Sequence, residues 1–355
     1  MIAGQTEALQ RQFERDGYTL IRGVLSPAEC QALRERILAA FERLDTRLPG
    51  RVVRYLPTSL ASDVEGAWEW LLREPVVETL RAILEPAYTL MPDLHIQRNM
   101  FGTNRVDVKG IPLPRRWGWH QDACSEGFRP LHLEPAYRVL KGGLYLQDND
   151  PEFGGGIDVV PGSHRLPLRT GDARRDWNLR QLAGRLGVLW NAQRVPIRQG
   201  DAVFFHSFLW HSSTLSVRQR RRLTEAEQGL HMFQTPPEKT KLTLYVNVSR
   251  SAYADYFLRH CLGRAQAEHA EVSRPSGAGG ELFFCDTLAF HATGALPPAV
   301  REAASRAGIR WGSLAGEVLR EARRLRDEIT ATGRLWNYHP ELDPARRTGA
   351  VVMSG

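Results

Sequence analysis

The hydropathic rhythm of the chain changes near residue 88 and again near residue 250. Over the first ninety residues apolar positions recur at helical spacing, interrupted by one short strand-like run. Residues 6–15 read as a helix, and GYTLIRG (17–23) alternates as a strand does. Ser26-Pro27-Ala28-Glu29 is a helix start: serine caps, proline takes the first helical position, and the glutamate completes a capping box. Leu33, Ile37, Phe41 and Leu44 then fall on one apolar face. A second helical stretch, in two parts around Pro75, runs from about 67 to 84.

From residue 88 the period shortens to two. Short β-type runs follow one another: YTLMPDLHIQRNMFG (88–102), WGWHQD (117–122), RVLKGGLYLQD (138–148), IDVV (157–160), DAVFFHSF (201–208) and KLTLYVNVS (241–249). Gly, Pro, Asn and Asp separate them. Many short strands with few helices between them predict an antiparallel barrel or double-sheet jelly roll. Helices packed against one side make the class α+β. After residue 250 the chain reads as mostly helical: a helix over about 252–270, a loop at SRPSGAGG (273–280), an ambiguous ELFFCDTLAF (281–290), and an amphipathic helix marked by Leu314, Val318, Leu319, Leu325 and Ile329. The expected organisation is one domain over 1–250 and a helical extension over 251–355 packed on it, its tail loose from about 338.

Composition narrows the class. At 42% apolar and 25% charged, the 355 residues describe a globular chain. Four cysteines without a CxxC exclude a disulfide scaffold, a zinc ribbon and thioredoxin-like chemistry. No apolar run reaches the roughly 18 residues of a membrane helix, and the first residues lack a signal-peptide core, so a cytoplasmic protein is expected. The net charge is +7, but only four of the 47 basic residues are lysines (Lys109, Lys141, Lys239, Lys241), which suggests an arginine habit rather than a nucleic-acid surface. The one dense cluster, Arg218 to Arg222, has no interleaved aromatics beside it. The expected partner is a small-molecule substrate, with no nucleic acid and no membrane; nothing in the sequence sets the oligomeric state.

Candidate chemistry begins at Trp119-His120-Gln121-Asp122. On a strand, His120 and Asp122 project to the same face and offer an imidazole and a carboxylate to one point. A second histidine from a later strand would complete a 2-His-1-carboxylate triad, the arrangement of oxygen-using non-haem iron. His206 and His211, in GDAVFFHSFLWHSS, are five positions apart and on one regular strand would face opposite ways.

The order of HxD, a Gly-rich turn into GGIDVVPGSHR, and GDAVFFHSFLWHSS resembles the phytanoyl-CoA dioxygenase family, iron(II)- and 2-oxoglutarate-dependent oxygenases built on a double-stranded β-helix. FERDGYTLIRGVLSPAECQALRERI resembles that family's opening, so the likeness spans roughly 10–250; the last 100 residues carry no part of it. The resemblance implies His120, Asp122 and His211 as iron ligands, because His211-Ser212-Ser213 has the family's H-x-S context and His206 does not. His206 is then a core or barrel-wall residue, and His164 shapes the PGSH turn.

The family also pairs the far carboxylate of 2-oxoglutarate with a basic residue, usually an arginine opening the strand after the distal histidine. Here the chain departs from the pattern. Arg222 lies at about the right interval, but the segment after it does not alternate, whereas KLTLYVNVS does, after an insertion at 223–238. Leu242, Leu244, Val246 and Val248 form its apolar face; Lys241, Thr243, Tyr245 and Asn247 face the barrel interior. Lys241 is therefore the expected cosubstrate partner and Arg222 the alternative; a lysine offers a point charge where arginine offers a fork. Ser213, Gln97 and Asn99 are further candidate contacts to 2-oxoglutarate, and Gln121 is expected to orient the ligands.

The implied activity is hydroxylation of an unactivated C–H bond, using iron(II), O2 and 2-oxoglutarate, which leaves as succinate and CO2. Related halogenases carry a small residue where Asp122 stands, so the carboxylate favours hydroxylation, or desaturation or ring formation. Two other classes stay open at this point: a zinc cupin-type hydrolase or isomerase, and a non-catalytic barrel for binding or assembly. Residues 164–200, the insertion and the extension are expected to roof the site. Trp117, Trp119, Trp190 and Trp210 either line a pocket there or belong to the core.

Overall fold

The computed structural model describes residues 3–47, 51–53, 55–56, 58–91, 94–98, 119–122, 134–150, 154–165, 170–214, 237–257, 270–276, 279–284, 297–312 and 320. Asn99, Trp117, Arg222, most of the insertion and all but Arg320 of the helix expected over 314–329 lie outside these residues. The helices are α1 (Ala3–Asp16), α2 (Pro27–Arg47), α3 (Thr58–Ser62), α4 (Glu74–Ile83), α5 (Ala173–Trp190), α6 (Ser251–Phe257) and α7 (Pro298–Arg306). The strands are β1 (Tyr18–Ile21), β2 (Arg51–Val53), β3 (Tyr55–Leu56), β4 (Thr89–Leu90), β5 (His95–Arg98), β6 (Val139–Tyr145), β7 (Ile157–Val159), β8 (Gln193–Arg194), β9 (Ala202–His206), β10 (His211–Ser213), β11 (Leu242–Ser249), β12 (Ala270–Ser276), β13 (Gly279–Phe284) and β14 (Arg310–Trp311). Among the described residues no helix is long and apolar enough to cross a membrane.

Eight strands form the main sheet, in the order β1-β9-β6-β11, with the far edge of β11 shared by β5 and β4. β3 extends β5, and β14 adds in parallel to β4; the other pairings are antiparallel. A smaller sheet, β10-β7-β8, is extended by a bridge from His211 to His120. From β5 onward the chain passes back and forth between the two, with β7 and β8 successive in the smaller one: β5, β6, β9 and β11 belong to the main sheet, and His120, β7, β8 and β10 to the smaller one. Tyr145, Val203 and Phe205 of the main sheet share a buried cluster with Ile157 and Val159 of the smaller one, so the two sheets enclose a common interior.

The outer face of the main sheet is covered by helices. Leu242, Leu244, Val246 and Val248 are fully buried there, as their alternation predicts, in one core with Leu33, Ile37 and Phe41 of α2. Two reciprocal hydrogen bonds make the capping box of α2, Glu29 N–H to Ser26 Oγ (3.3 Å) and Ser26 N–H to Glu29 Oε2 (2.8 Å). Gly200 turns the chain into β9 with φ +84°, and a Cβ there would lie 2.1 Å from the Leu25 carbonyl oxygen. Asp201 closes the same turn, accepting from Gly23 N–H (2.9 Å), Arg198 N–H (2.9 Å) and the Arg22 guanidinium (2.6 Å).

The C-terminal part departs from the helical expectation. The described part of 251–355 holds α6 and α7, but also the antiparallel strands β12 and β13, which take in 273–276 and 279–280 of the expected loop; β13 pairs in parallel with β2. That pairing joins segments more than 200 positions apart, which local periodicity does not register. Val300 and Ala304 of α7 lie in the main core beside β14. Within 164–200, where the sequence announces no element, the chain forms α5. Asp172 caps it, accepting from the N–H groups of Arg174 (2.9 Å) and Arg175 (3.0 Å). Its buried stripe is Trp177, Arg180, Gly184 and Val188, while Leu182, Leu186 and Trp190 are exposed, so its apolar residues are split between the two faces.

Candidate metal centre

His120 and His211 face each other across an antiparallel bridge, each N–H donating to the other's carbonyl at 3.0 Å. This register sets their rings 4.3 Å apart. Asp122, two positions along, turns its Oδ1 toward both, 3.4 Å from His120 Nε2 and 3.6 Å from His211 Nε2. One ligand atom from each of the three side chains lies within 4.8 Å of the others. Two imidazoles and one carboxylate in this arrangement suit a first-row divalent metal with positions left open. His206 lies elsewhere. The chain leaves the main sheet at the end of β9, turns over 207–210, and enters the smaller sheet at His211, so the two histidines belong to different sheets.

Local bonds fix the tautomers of His211 and His206. His211 Nδ1–H donates to the Leu209 carbonyl at 2.9 Å, which leaves the Nε2 lone pair facing Asp122. Burial, with His120 beside it, pushes His211 down to about 4 against the pull of Asp122, so the ring is neutral at pH 7. Burial would raise the Asp122 carboxyl, but Lys141 and the two imidazoles outweigh it and hold the group well below its ordinary value. His206 is spent on the fold: Nε2–H donates to the Tyr137 carbonyl (3.1 Å) and Nδ1 accepts from Phe208 N–H (3.1 Å). Its buried ring is 5.6 Å from that of His164, which burial pushes down to about 3.

A family model described as phytanoyl-CoA dioxygenase matches residues 13–222, more than half of the chain and all three clustered side chains. The chain belongs to the phytanoyl-CoA dioxygenase family. It is also 29% identical, over 165 residues, to an ectoine dioxygenase of Nocardia farcinica, across 43% of this chain and 49% of that one. The chain thus spans about half the length of this curated relative. Among solved structures it is similar to SnoN, a non-haem α-ketoglutarate-dependent epimerase from nogalamycin biosynthesis (20% identity, TM-score 0.43, 70% of this chain and 82% of that chain). It is also similar to EctD from S. alaskensis, solved with 2-oxoglutarate and 5-hydroxyectoine (18% identity, TM-score 0.44, 71% and 77%).

In this family member Gln121, between two of the clustered residues, points the other way. Its Nε2 donates to the Phe208 carbonyl, and its Oε1 accepts from Gln181 of α5 at 2.9 Å. The side chain thereby ties the HxD segment to the turn before His211 and to the covering helix. Lys241 is fully buried, with Nζ 3.5 Å from Ser213 Oγ and 6.0 Å from the Tyr145 ring centroid. Burial alone pulls its ammonium down to about 7, and among the described residues no carboxylate pairs with it. Gln97 is buried opposite Thr243, on the inward face of β5.

Tyr145 and Lys141 of this interior carry no expectation from the sequence, and Tyr245 is expected there only as an inward-facing position. Tyr145 and Tyr245 bring their hydroxyls within 3.4 Å of each other between the two sheets, and burial raises both phenols. Lys141 reaches Asp122 Oδ2 at 3.6 Å. A signal for it existed: Lys141 has the same inward parity as Tyr145 in an otherwise apolar strand, in a chain with four lysines. Of the tryptophans, Trp210 is buried against Gly184 and shares a small cluster with Val160, Val188 and Trp119, whereas Trp190 is exposed.

Proposed function

We propose that the chain is an iron(II)- and 2-oxoglutarate-dependent dioxygenase that hydroxylates a C–H bond of a small organic substrate. The observation that carries this reading is the convergence of His120, Asp122 and His211 on one point, with the buried ammonium of Lys241 set beyond Ser213 on the same interior. The alternation of strands between two facing sheets supports a double-stranded β-helix. The burial of α7 residues in the main core supports an extension packed on the same domain.

In this reading His120, Asp122 and His211 hold iron(II), which with O2 and 2-oxoglutarate supplies the oxidation: the substrate gains one oxygen atom, and 2-oxoglutarate gains the other as it becomes succinate and CO2. The Leu209 carbonyl keeps His211 in the ligating tautomer, and Gln121 holds the HxD segment in register with it. Lys241 takes the far carboxylate of the cosubstrate, and the Ser213 hydroxyl adds a donor. A cation buried without a counter-ion is costly, and an incoming carboxylate relieves that cost. Gln97, and Asn99 beyond the described residues, add polar contacts. Arg222 is assigned no role.

The test is a turnover assay with reconstituted iron(II), 2-oxoglutarate, ascorbate and air, reading succinate and CO2, with a panel of small substrates that includes ectoine. Slow succinate formation is expected even without substrate, through uncoupled turnover. A chain holding one equivalent of iron and forming no succinate with any substrate would sink the oxygenase reading.

A further inference from the structure

The carboxylate of Asp122 is divided between two sets of neighbours. Oδ1 faces both imidazoles, at 3.4 and 3.6 Å, while Oδ2 faces the ammonium of Lys141 at 3.6 Å. Lys141 rises from β6 in the middle of the main sheet, flanked by Phe205 of β9 and Asn247 of β11. Its Nζ lies 5.5 Å from the Tyr245 ring centroid, and its side chain is only 21% exposed. A lysine so placed has little freedom to follow a moving carboxylate. It also lies toward the opposite end of β11 from Lys241, since its strand partner is Asn247, so the two interior ammoniums bracket the triad rather than share one ligand.

We propose that Lys141 is a positioning residue that keeps Asp122 a one-oxygen metal ligand. This inference rests on the metal-centre reading above. A six-coordinate ion held by two imidazoles and Oδ1 keeps three positions open: two for a chelating cosubstrate and one for oxygen. If Oδ2 also bound, only two would remain, and the cosubstrate would fill both. For Oδ2 to swing onto the metal it must leave the Lys141 ammonium, so the ion pair guards the last open position. The charge carries the effect at this distance, because an ammonium draws carboxylate density to the oxygen that faces away from the metal.

The experiment uses the full chain loaded with Mn(II), which reports its bound water through proton relaxation and needs no substrate. Wild type, Lys141→Met and Lys141→Arg are titrated with Mn(II), and water relaxation is measured with and without saturating 2-oxoglutarate. Wild type should bind one equivalent and keep a coordinated water with 2-oxoglutarate present. Lys141→Met should bind Mn(II) as tightly or more tightly, since a nearby cation has gone. It should nevertheless lose about a third of the water enhancement alone and nearly all of it with 2-oxoglutarate. Lys141→Arg should restore the wild-type signal. A water signal that survives in Lys141→Met, or Mn(II) affinity that falls there, overturns the assignment. Failure of the wild-type chain to bind one equivalent of Mn(II) would instead overturn the metal-centre reading on which it rests.

Discussion

Replacing Lys241 with methionine separates the charge of that side chain from its volume, and the structure sets the size of both consequences. Burial moves the ammonium from 10.5 to about 7. At roughly 1.4 kcal/mol per unit, holding the charged form in this interior costs about 5 kcal/mol relative to water. The folded value lies below the unfolded one, so between pH 7 and 10.5 the unfolded chain binds more protons. Stability from this group therefore rises with pH across that window and is lost as pH falls toward 7. Lys241→Met removes the cost, and the ligand-free variant should be more stable than wild type at pH 7 by on the order of 1–4 kcal/mol. Its affinity for 2-oxoglutarate should fall at least about thirtyfold, because truncating one partner of a buried charge pair costs roughly 2–5 kcal/mol. In the wild type, binding must protonate the lysine again, so affinity should drop about tenfold per pH unit above 7 with uptake of one proton. Calorimetry in two buffers of different ionisation enthalpy, from pH 6.5 to 8.5, reads the proton directly, and denaturant titration reads the stability. A pH-independent affinity, or a methionine variant that binds 2-oxoglutarate like wild type, would refute the argument.

Three further outcomes are expected. His120→Ala, Asp122→Ala and His211→Ala should each lose stoichiometric iron(II) binding, while His206→Ala keeps it and loses about 2 kcal/mol of stability from its broken bonds to Tyr137 and Phe208; metal analysis with parallel melts decides, and the reverse pattern would mean the wrong histidine was chosen. Gln121→Ala should weaken metal binding about 10- to 100-fold without unfolding the chain, and unchanged affinity would show that the HxD segment needs no such tie. Gly200→Ala should cost at least about 2 kcal/mol in chemical denaturation, since the new methyl must displace the Leu25 carbonyl at positive φ; wild-type stability would mean the turn relaxes freely.

What the sequence made legible was whatever a local period or a fixed short spacing encodes. The alternation of 242–248 announces a strand with one face on the helices, and Ser26 with Glu29 announces its cap, because both depend on neighbours a few positions away. His120 and Asp122 stand out as a pair for the same reason. Parity along a strand could not choose between His206 and His211, because the chain changes sheets between them; that choice came from the family's H-x-S pattern. α5 is not legible because Arg180 and Gly184 interrupt its buried face of Trp177 and Val188 while Leu182 and Leu186 face outward. Lys141 and the β12–β13 pairing with β2 depend on approaches between distant segments, and no local rhythm records those.

Among the described residues, the HxD segment is joined to the smaller sheet by two backbone hydrogen bonds, both between His120 and His211. So small an attachment opens far more readily than β11, which is paired along both edges. Without metal, the amide protons of His120 and His211 should exchange with solvent through brief local openings, well before those of Val246 or Leu244. A bound ion would close a link between positions 120 and 211 and act as a clasp between them. Slow exchange at these two amides would then serve as a readout of occupancy, and the same openings offer a route for metal to enter and leave a chain that stays folded.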